Sequence, residues 1–323
     1  MMMSTTTPIL SPADPSWHST RPQGHSWRRL SARFVTLMAS ISLAPALLGA
    51  CAGFDPNADP TSSRTQYLGP KIKVAGVQYG PSKSGAEKVD ATCLSRTDYN
   101  TCAVEKLVEQ AAAQGAQIIV TPELALDQQY YETDPSVGAL PADDTTLADT
   151  SLLKIFAKKA KTLGVFLAVH FHSQDDRTKK KFSTQIVYDK TGKVVGVHHK
   201  FELYGGENTS LTHGSDNTII QTPLGKTAPL ICADLYGDPR HHSKLVDDLG
   251  ARVILVSSYW TVPSGARWQA AFAKNWGVYV IGSNVTTSAG RGGGIYDPNG
   301  KALIESLAAE PKVLIAEIPT SDE

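Results

Sequence analysis

The chain carries no excess of either charge: Lys plus Arg and Asp plus Glu both total 31, for a formal charge of +0. That balance excludes a non-specific nucleic-acid binder, which shows a basic excess. Cysteine is scarce, with 4 in 323 residues, and a chain of this length can bury a core without covalent staples. Charged residues reach only 19% against 41% apolar, which excludes disordered, fibrous and coiled-coil classes. No internal repeat occurs, and no apolar run after residue 50 is long enough to span a membrane.

The first 50 residues stand apart. They hold four Arg (Arg21, Arg28, Arg29, Arg33) and one acid, Asp14, so their removal leaves 27 bases against 30 acids. Phe34 to Ala50 is an uncharged apolar run behind Arg28, Arg29 and Arg33, the layout of a secretory signal and too short for a membrane span. Its end, Leu48-Gly49-Ala50-Cys51, resembles a bacterial lipobox, in which the Cys becomes the lipidated N-terminus. The expectation is an exported protein of the bacterial cell envelope, anchored to a membrane through lipid on Cys51. The alternative is ordinary cleavage near Ala50, giving a soluble periplasmic or secreted protein. Asp55 to Pro70, rich in Pro, Asp, Ser and Thr, reads as the rest of a 51–70 tether.

Export gives the other cysteines meaning. Cys93 and Cys102 bracket the polar stretch Leu94 to Thr101, short enough to close as one disulfide loop. Cys232 is left over inside Ala228-Pro229-Leu230-Ile231-Cys232, followed at once by Asp234. An unpaired Cys in an exported chain is either buried and inert or a working thiol.

Strand and helix patterns alternate from residue 71 to about 320. Lys71 to Tyr79 alternates like a strand, Thr101 to Gly115 has helical spacing, and Gln117 to Val120 is a short strand. Ser151 to Leu163, Asp238 to Leu249 and Ala266 to Trp276 read as helices; Val165 to His170, Arg252 to Val256, Val278 to Ser283 and Lys312 to Ile318 read as strands. Hairpins turn at Asp189 to Gly192, Pro223 to Lys226 and Asp297 to Gly300. The interleaving predicts one α/β domain over 71–320.

Chemistry gathers at strand ends. Glu123 follows the strand Gln117 to Val120, Lys200 ends the strand Lys193 to Lys200, and Cys232 ends Thr227 to Ile231. A carboxylate near a thiol can take its proton, and an ammonium can stabilise the thiolate and then the oxyanion formed on a carbonyl or nitrile carbon. The backbone N–H of Ala233 is the natural second oxyanion donor.

These residues resemble the nitrilase superfamily of carbon–nitrogen hydrolases, with its Glu-Lys-Cys triad. The likeness rests on Pro122-Glu123, His199-Lys200 with Leu203, and Ile231-Cys232-Ala233-Asp234, at intervals of 77 and 32 residues. Ser283-Asn284 and Gly293-Gly294-Ile295-Tyr296-Asp297-Pro298-Asn299 look especially like the vanin and biotinidase branch. The resemblance implies a four-layer α-β-β-α sandwich of two sheets and a thiol amidase without cofactor. Its expected substrate is a linear amide such as pantetheine or biotinyl-lysine, and relatives often form homo-oligomers. Where many relatives carry an aromatic residue straight after the Cys this chain has Ala233, and where they carry His at the second place after the Lys it has Glu202. The second family carboxylate would be Glu207, which either supports the Lys or merely caps a Gly-rich loop. Nitrile hydrolysis and acyl transfer to an amine are alternatives within enzymes, and a ligand-binding surface lipoprotein is the alternative outside them.

His170-x-His172, His198-His199 and His241-His242 lack acidic or Cys partners at ligand spacing, so no metal is expected. Lys179-Lys180-Lys181 reads as a solvated run rather than a nucleic-acid patch. Tyr130, Tyr131, Tyr259 and Trp260 lie on loops beside the expected cleft and either line a substrate pocket or pack.

Overall fold

The computed structural model describes residues 69–128, 130–260, 265–286 and 292–321. The expected export signal (1–50), Cys51 and all but the last two residues of the 51–70 tether lie outside the described residues. Among the described residues thirteen strands form one hydrogen-bonded sheet. They are β1 (Lys71–Gln78), β2 (Ala116–Val120), β3 (Glu132–Thr133), β4 (Phe166–Gln174), β5 (Lys181–Tyr188), β6 (Val194–His199), β7 (Ile220–Thr222), β8 (Gly225–Ile231), β9 (Val253–Ser258), β10 (Tyr279–Asn284), β11 (Gly293–Tyr296), β12 (Ala302–Ser306) and β13 (Lys312–Pro319). The helices are α1 (Lys83–Val89), α2 (Tyr99–Ala113), α3 (Leu152–Leu163), α4 (Glu207–Ser210), α5 (Pro239–Ser243) and α6 (Gly265–Trp276).

Strand order is β6-β5-β4-β2-β1-β10-β9-β8-β7, and this sheet folds on itself between β1 and β10. The period-2 alternation of each strand sorts its side chains between two cores. Val74, Ile118, Val120, Val253, Leu255 and Ile281 face an inner layer shared by both halves. Their neighbours in sequence turn outward: Ala75, Ile119 and Leu167 pack under α1, α2 and α3, whereas Ile254, Val256 and Val280 pack under α6. Contacts between β5 and β8 and between β4 and β9, which are not neighbours in the sheet, show the halves face to face. Helices, half-sheet, half-sheet and helices make the four α-β-β-α layers that the sequence led us to expect.

The expectation of two separate sheets needs one refinement. A single registered pair, Gln78 with Asn284, keeps the halves hydrogen-bonded through β1 and β10, while β13 runs along the rest of that β1 edge. The joint is tight enough to require glycine, since a Cβ on Gly76 would lie 2.2 Å from the carbonyl oxygen of Gly282. A second correction concerns the helix expected over Asp238 to Leu249. It is two pieces, α5 followed by one wide turn over Lys244–Asp248, which closes with Leu249 N–H donating five residues back to the Lys244 carbonyl.

Cys93, on a 3₁₀ turn at Ala91–Ser95, is disulfide-bonded to Cys102 of α2 with a Cα–Cα distance of 5.6 Å, and both are buried. Cys232 is free and buried. No helix among the described residues is long and apolar enough to cross a membrane.

Candidate active site

Strand direction brings three chain segments to one edge. β2 and β4 are parallel, while β4–β5 and β5–β6 are antiparallel, so β6 runs the same way as β2. β8, β9 and β10 are mutually parallel, and β10 is parallel to β1. Glu123, Lys200 and Cys232 follow the carboxyl ends of β2, β6 and β8, the edge where open α/β sheets place their ligands.

There the side chains meet. The buried Lys200 ammonium donates to Glu123 Oε1 at 2.7 Å and to both Glu207 oxygens at 2.9 and 3.0 Å. Glu207 also accepts the Tyr204 N–H at 2.8 Å, so it grips the Gly-rich loop and the ammonium together, and the two readings open in the sequence are not exclusive. Cys232 sits just past β8 with a left-handed φ of 45°, a conformation costly for a residue bearing a Cβ. Its thiol is close enough to the Glu123 carboxyl to shift that group's titration, yet Glu123 Oε2 makes no hydrogen bond of ordinary geometry. Glu123 thus keeps one acceptor oxygen open.

Burial dominates the electrostatics. It pushes the Glu123 carboxyl above its ordinary range, against the opposing pull of Lys200. Burial likewise pushes the Cys232 thiol well up, and the charge of Glu123 adds to it; Lys200 and the backbone of Tyr259 act the other way. Burial works against the Lys200 charge too, but Glu123, Cys232 and Glu207 outweigh it and hold the ammonium above the usual lysine range. The resting pair is a thiol beside a carboxyl whose basicity has been raised, with a permanent cation between two carboxylates.

Buried groups hold each of the three in place. Leu124, directly after Glu123, has φ 55°, and its N–H donates to His170 Nδ1 at 3.2 Å. That bond puts the His170 proton on Nε2, which meets Ser183 Oγ at 2.8 Å, while the Ser183 carbonyl accepts the Lys200 N–H at 2.9 Å. Burial holds His170 well below the usual imidazole range, so it is a neutral strut. Asp234 does more. Its Oδ1 accepts the N–H groups of Phe201 and Glu202, each at 2.9 Å, and its Oδ2 takes the Ile231 N–H at 2.9 Å and His198 Nε2 at 2.8 Å. One carboxylate therefore staples the segment after Lys200 to the segment around Cys232. Glu202 adds a second tie by accepting the Asp238 N–H at 3.2 Å. The role of Asp234 was visible in the sequence only as a motif letter.

The sequence model of the carbon-nitrogen hydrolase family matches residues 73–322. The chain belongs to the carbon-nitrogen hydrolase family. Human pantetheine hydrolase VNN2 is 26% identical over 269 residues, covering 74% of this chain and 51% of its own. Mouse pantetheinase is 26% identical over 258 residues, covering 70% and 50%. The chain thus spans about half the length of the curated relatives it matches, and they lie where the expected vanin branch does. Saccharomyces cerevisiae Nit3, a member of branch 10 of the nitrilase superfamily, superposes with a TM-score of 0.62 at 21% identity over 80% of this chain and 93% of its own. An amidase from Nesterenkonia sp. gives 0.60 at 19% identity over 81% and 95%. Both share the sandwich fold.

The other motif residues of the chain frame the site rather than enter it. Asn284 Oδ1 accepts the Trp260 N–H at 2.9 Å and its Nδ2 donates to the Gly292 carbonyl at 3.2 Å, binding two loops together. A Cβ on Gly293 would fall 2.3 Å from Gln78 Oε1 and displace the buried side chain that accepts the Asn284 N–H at 3.1 Å.

The four aromatic candidates separate. Tyr131 stacks on His172 with ring centroids 5.6 Å apart, and the titration of His172 is lowered first by burial and then tuned by Glu207 and Lys200, so this pair borders the centre. Tyr259 touches the thiol through its backbone. Trp260 is buried in the core against α6. Tyr130 lines a separate cavity of about 290 Å³ with Asp98, Asp127 and Glu132, which no triad residue reaches. Tyr204 and Tyr236, unremarked in the sequence, lie nearer: the Tyr236 phenol, pushed up to about 12 chiefly by burial, responds to Cys232, Lys200, Tyr204 and Glu123. Among the described residues no group of three His, Cys, Asp or Glu side chains is arranged to hold a metal ion.

Proposed function

We propose that this hydrolase cleaves the carbon–nitrogen bond of a linear amide through a thioester on Cys232. Glu123 takes the thiol proton, the sulfur attacks the carbonyl carbon, and Lys200 with the Ala233 N–H holds the oxyanion. Collapse expels the amine, which receives the proton from Glu123. The same carboxylate then takes a proton from water, whose oxygen attacks the thioester and releases the acid and the thiol. Glu207 keeps Lys200 in position throughout. The observation that carries this reading is the Lys200 ammonium fixed at 2.7 Å from Glu123 beside a thiol in a left-handed backbone. Relatives named pantetheine hydrolase and pantetheinase support an amide as the substrate.

The test is a panel of amides and nitriles with products identified by mass, alongside intact-mass spectra of the protein. An acid and an amine from an amide, with an acyl adduct that disappears in Cys232→Ala, would support the reading. Turnover of nitriles alone, amide formation from an added amine, or binding without products would each replace it.

We further propose export and a lipid anchor on Cys51, supported by the basic and apolar leader, the small pair Gly49-Ala50 and the polar segment that follows. Two or three acyl chains, at about 0.8 kcal/mol per buried CH₂, hold a protein that one chain would release. The mature N-terminus is then a diacylated Cys51, and detergent extracts the protein where salt does not. An unmodified N-terminus in a soluble fraction would overturn this.

A further inference from the structure

The mechanism leaves three exposed aromatic side chains unused at the rim of the catalytic centre. Among the described residues four aromatics are exposed, Tyr130, Tyr204, Tyr236 and Trp268, and three of the four gather here rather than scattering. Tyr236 ends the 3₁₀ turn Cys232–Tyr236 that the nucleophile begins. Side chains three apart on such a turn eclipse, so Tyr236 shares a face with Ala233, whose methyl leaves that face slim. The Tyr236 ring lies 5.1 Å from that of Trp268 in the first turn of α6, and the two are 41% and 42% exposed. Tyr204, 72% exposed, stands on the loop whose N–H Glu207 grips, within electrostatic range of Tyr236. Neither the Tyr236 hydroxyl nor the Trp268 indole N–H is hydrogen-bonded within the described residues. Two π-faces and two free donors therefore lie along the turn that the thiol begins.

We propose that Tyr236 and Trp268, flanked by Tyr204, form a rest for the distal part of the substrate, selecting amides that carry an apolar or planar group beyond the scissile bond. This rests on the reading of the site as an amide hydrolase. Continuity with the nucleophile argues for substrate as the occupant: a ligand reaching past Cys232 along the 3₁₀ turn meets Tyr236 next. The two rings pair with each other at 5.1 Å and keep exposed surface, so both offer an apolar, planar contact to a group reaching past the thiol.

The experiment compares kcat/KM for acetamide with that for 4-phenylbutyramide, which extends the acyl side, and N-(4-phenylbutyl)acetamide, which extends the amine side. Wild type is expected to prefer one phenyl probe over acetamide. Trp268→Ala and Tyr236→Leu should each reduce that preference about tenfold, chiefly through KM, the scale of an aromatic contact. Leu303→Ala, an exposed change on β12, is the control and should keep it. In parallel, equilibrium dialysis measures probe binding to Cys232→Ala with and without each rim substitution. A preference unchanged within twofold in both rim variants overturns the proposal. If wild type hydrolyses none of the three compounds, the hydrolase reading fails on its own, and dialysis decides the rim: phenyl-selective binding lost with Trp268 or Tyr236 upholds it, and equal binding overturns it.

Discussion

Replacing Asp234 by Asn removes one oxygen and a charge from the staple between the Lys200 and Cys232 segments. Oδ1 can still accept the Phe201 and Glu202 N–H groups. The new amide nitrogen, however, faces the Ile231 N–H, donor against donor, at a position that is 2% exposed. His198 can answer by presenting an unprotonated Nε2, but a backbone N–H has no such freedom. An orphaned buried N–H costs about 1–3 kcal/mol, and loss of charge assistance in the remaining bonds adds about 1 kcal/mol. Asp234→Asn should therefore lose about 2–4 kcal/mol in urea unfolding and roughly 5–15 °C in Tm. The same slackening lets nucleophile and ammonium drift apart, and a misplacement near 1 Å lowers kcat about 100-fold. A variant that melts within about 2 °C of wild type and keeps kcat within about threefold would refute the staple.

Lys200→Met fills the volume without the charge, so acylation followed by intact mass should slow at least about 100-fold at saturating amide; normal acylation with weakened binding would make Lys200 a binding group only. The carboxyl of Glu123 must be ionised to accept the thiol proton, and burial raises its pKa, so kcat/KM should fall as pH drops through a midpoint above the ordinary 4.5. A midpoint at or below that value would count against Glu123 as the base. The Cys232 thiol, pushed well up by burial, should react slowly with iodoacetamide at neutral pH in the free enzyme, and rapid alkylation would show a resting thiolate instead. Paired Cys93→Ser and Cys102→Ser substitutions should cost about 2–3 kcal/mol by releasing a loop of nine-residue separation, measured against oxidised wild type in urea.

Much of the architecture was legible because it depends on local periodicity. Strands such as β1, β2, β9 and β10 alternate between two apolar layers, and Glu123, Lys200 and Cys232 follow the ends of β2, β6 and β8. The glycines at hairpin and helix ends, Gly115, Gly164, Gly192, Gly225 and Gly300, all have positive φ, as turn chemistry demands. What escaped is short or long-range. Helix α1 has seven residues and buries only Gly85 and Ala86, so it shows no apolar stripe. The work of Asp234 joins residues 32 and 33 positions apart, and the strut from Leu124 to His170 spans 46. The wide turn after α5 is set by a bond pattern with no residue signature.

The bend between β1 and β10 has a consequence for how this enzyme can vary. Glu123 and Lys200 are mounted on one half of the sheet and Cys232 on the other, so the inner layer acts as a spacer whose thickness sets the alignment of base and nucleophile. Trimming Ile118 to Val there costs only about 0.5–1.5 kcal/mol, which a stable domain tolerates. The same trim, by letting the two halves settle, is expected to lower kcat by more than that stability loss, a comparison that urea unfolding and turnover of Ile118→Val would make. Catalytic alignment thus limits that layer before folding does, whereas equal changes under α2 or α6, outside the spacer, are limited by stability alone.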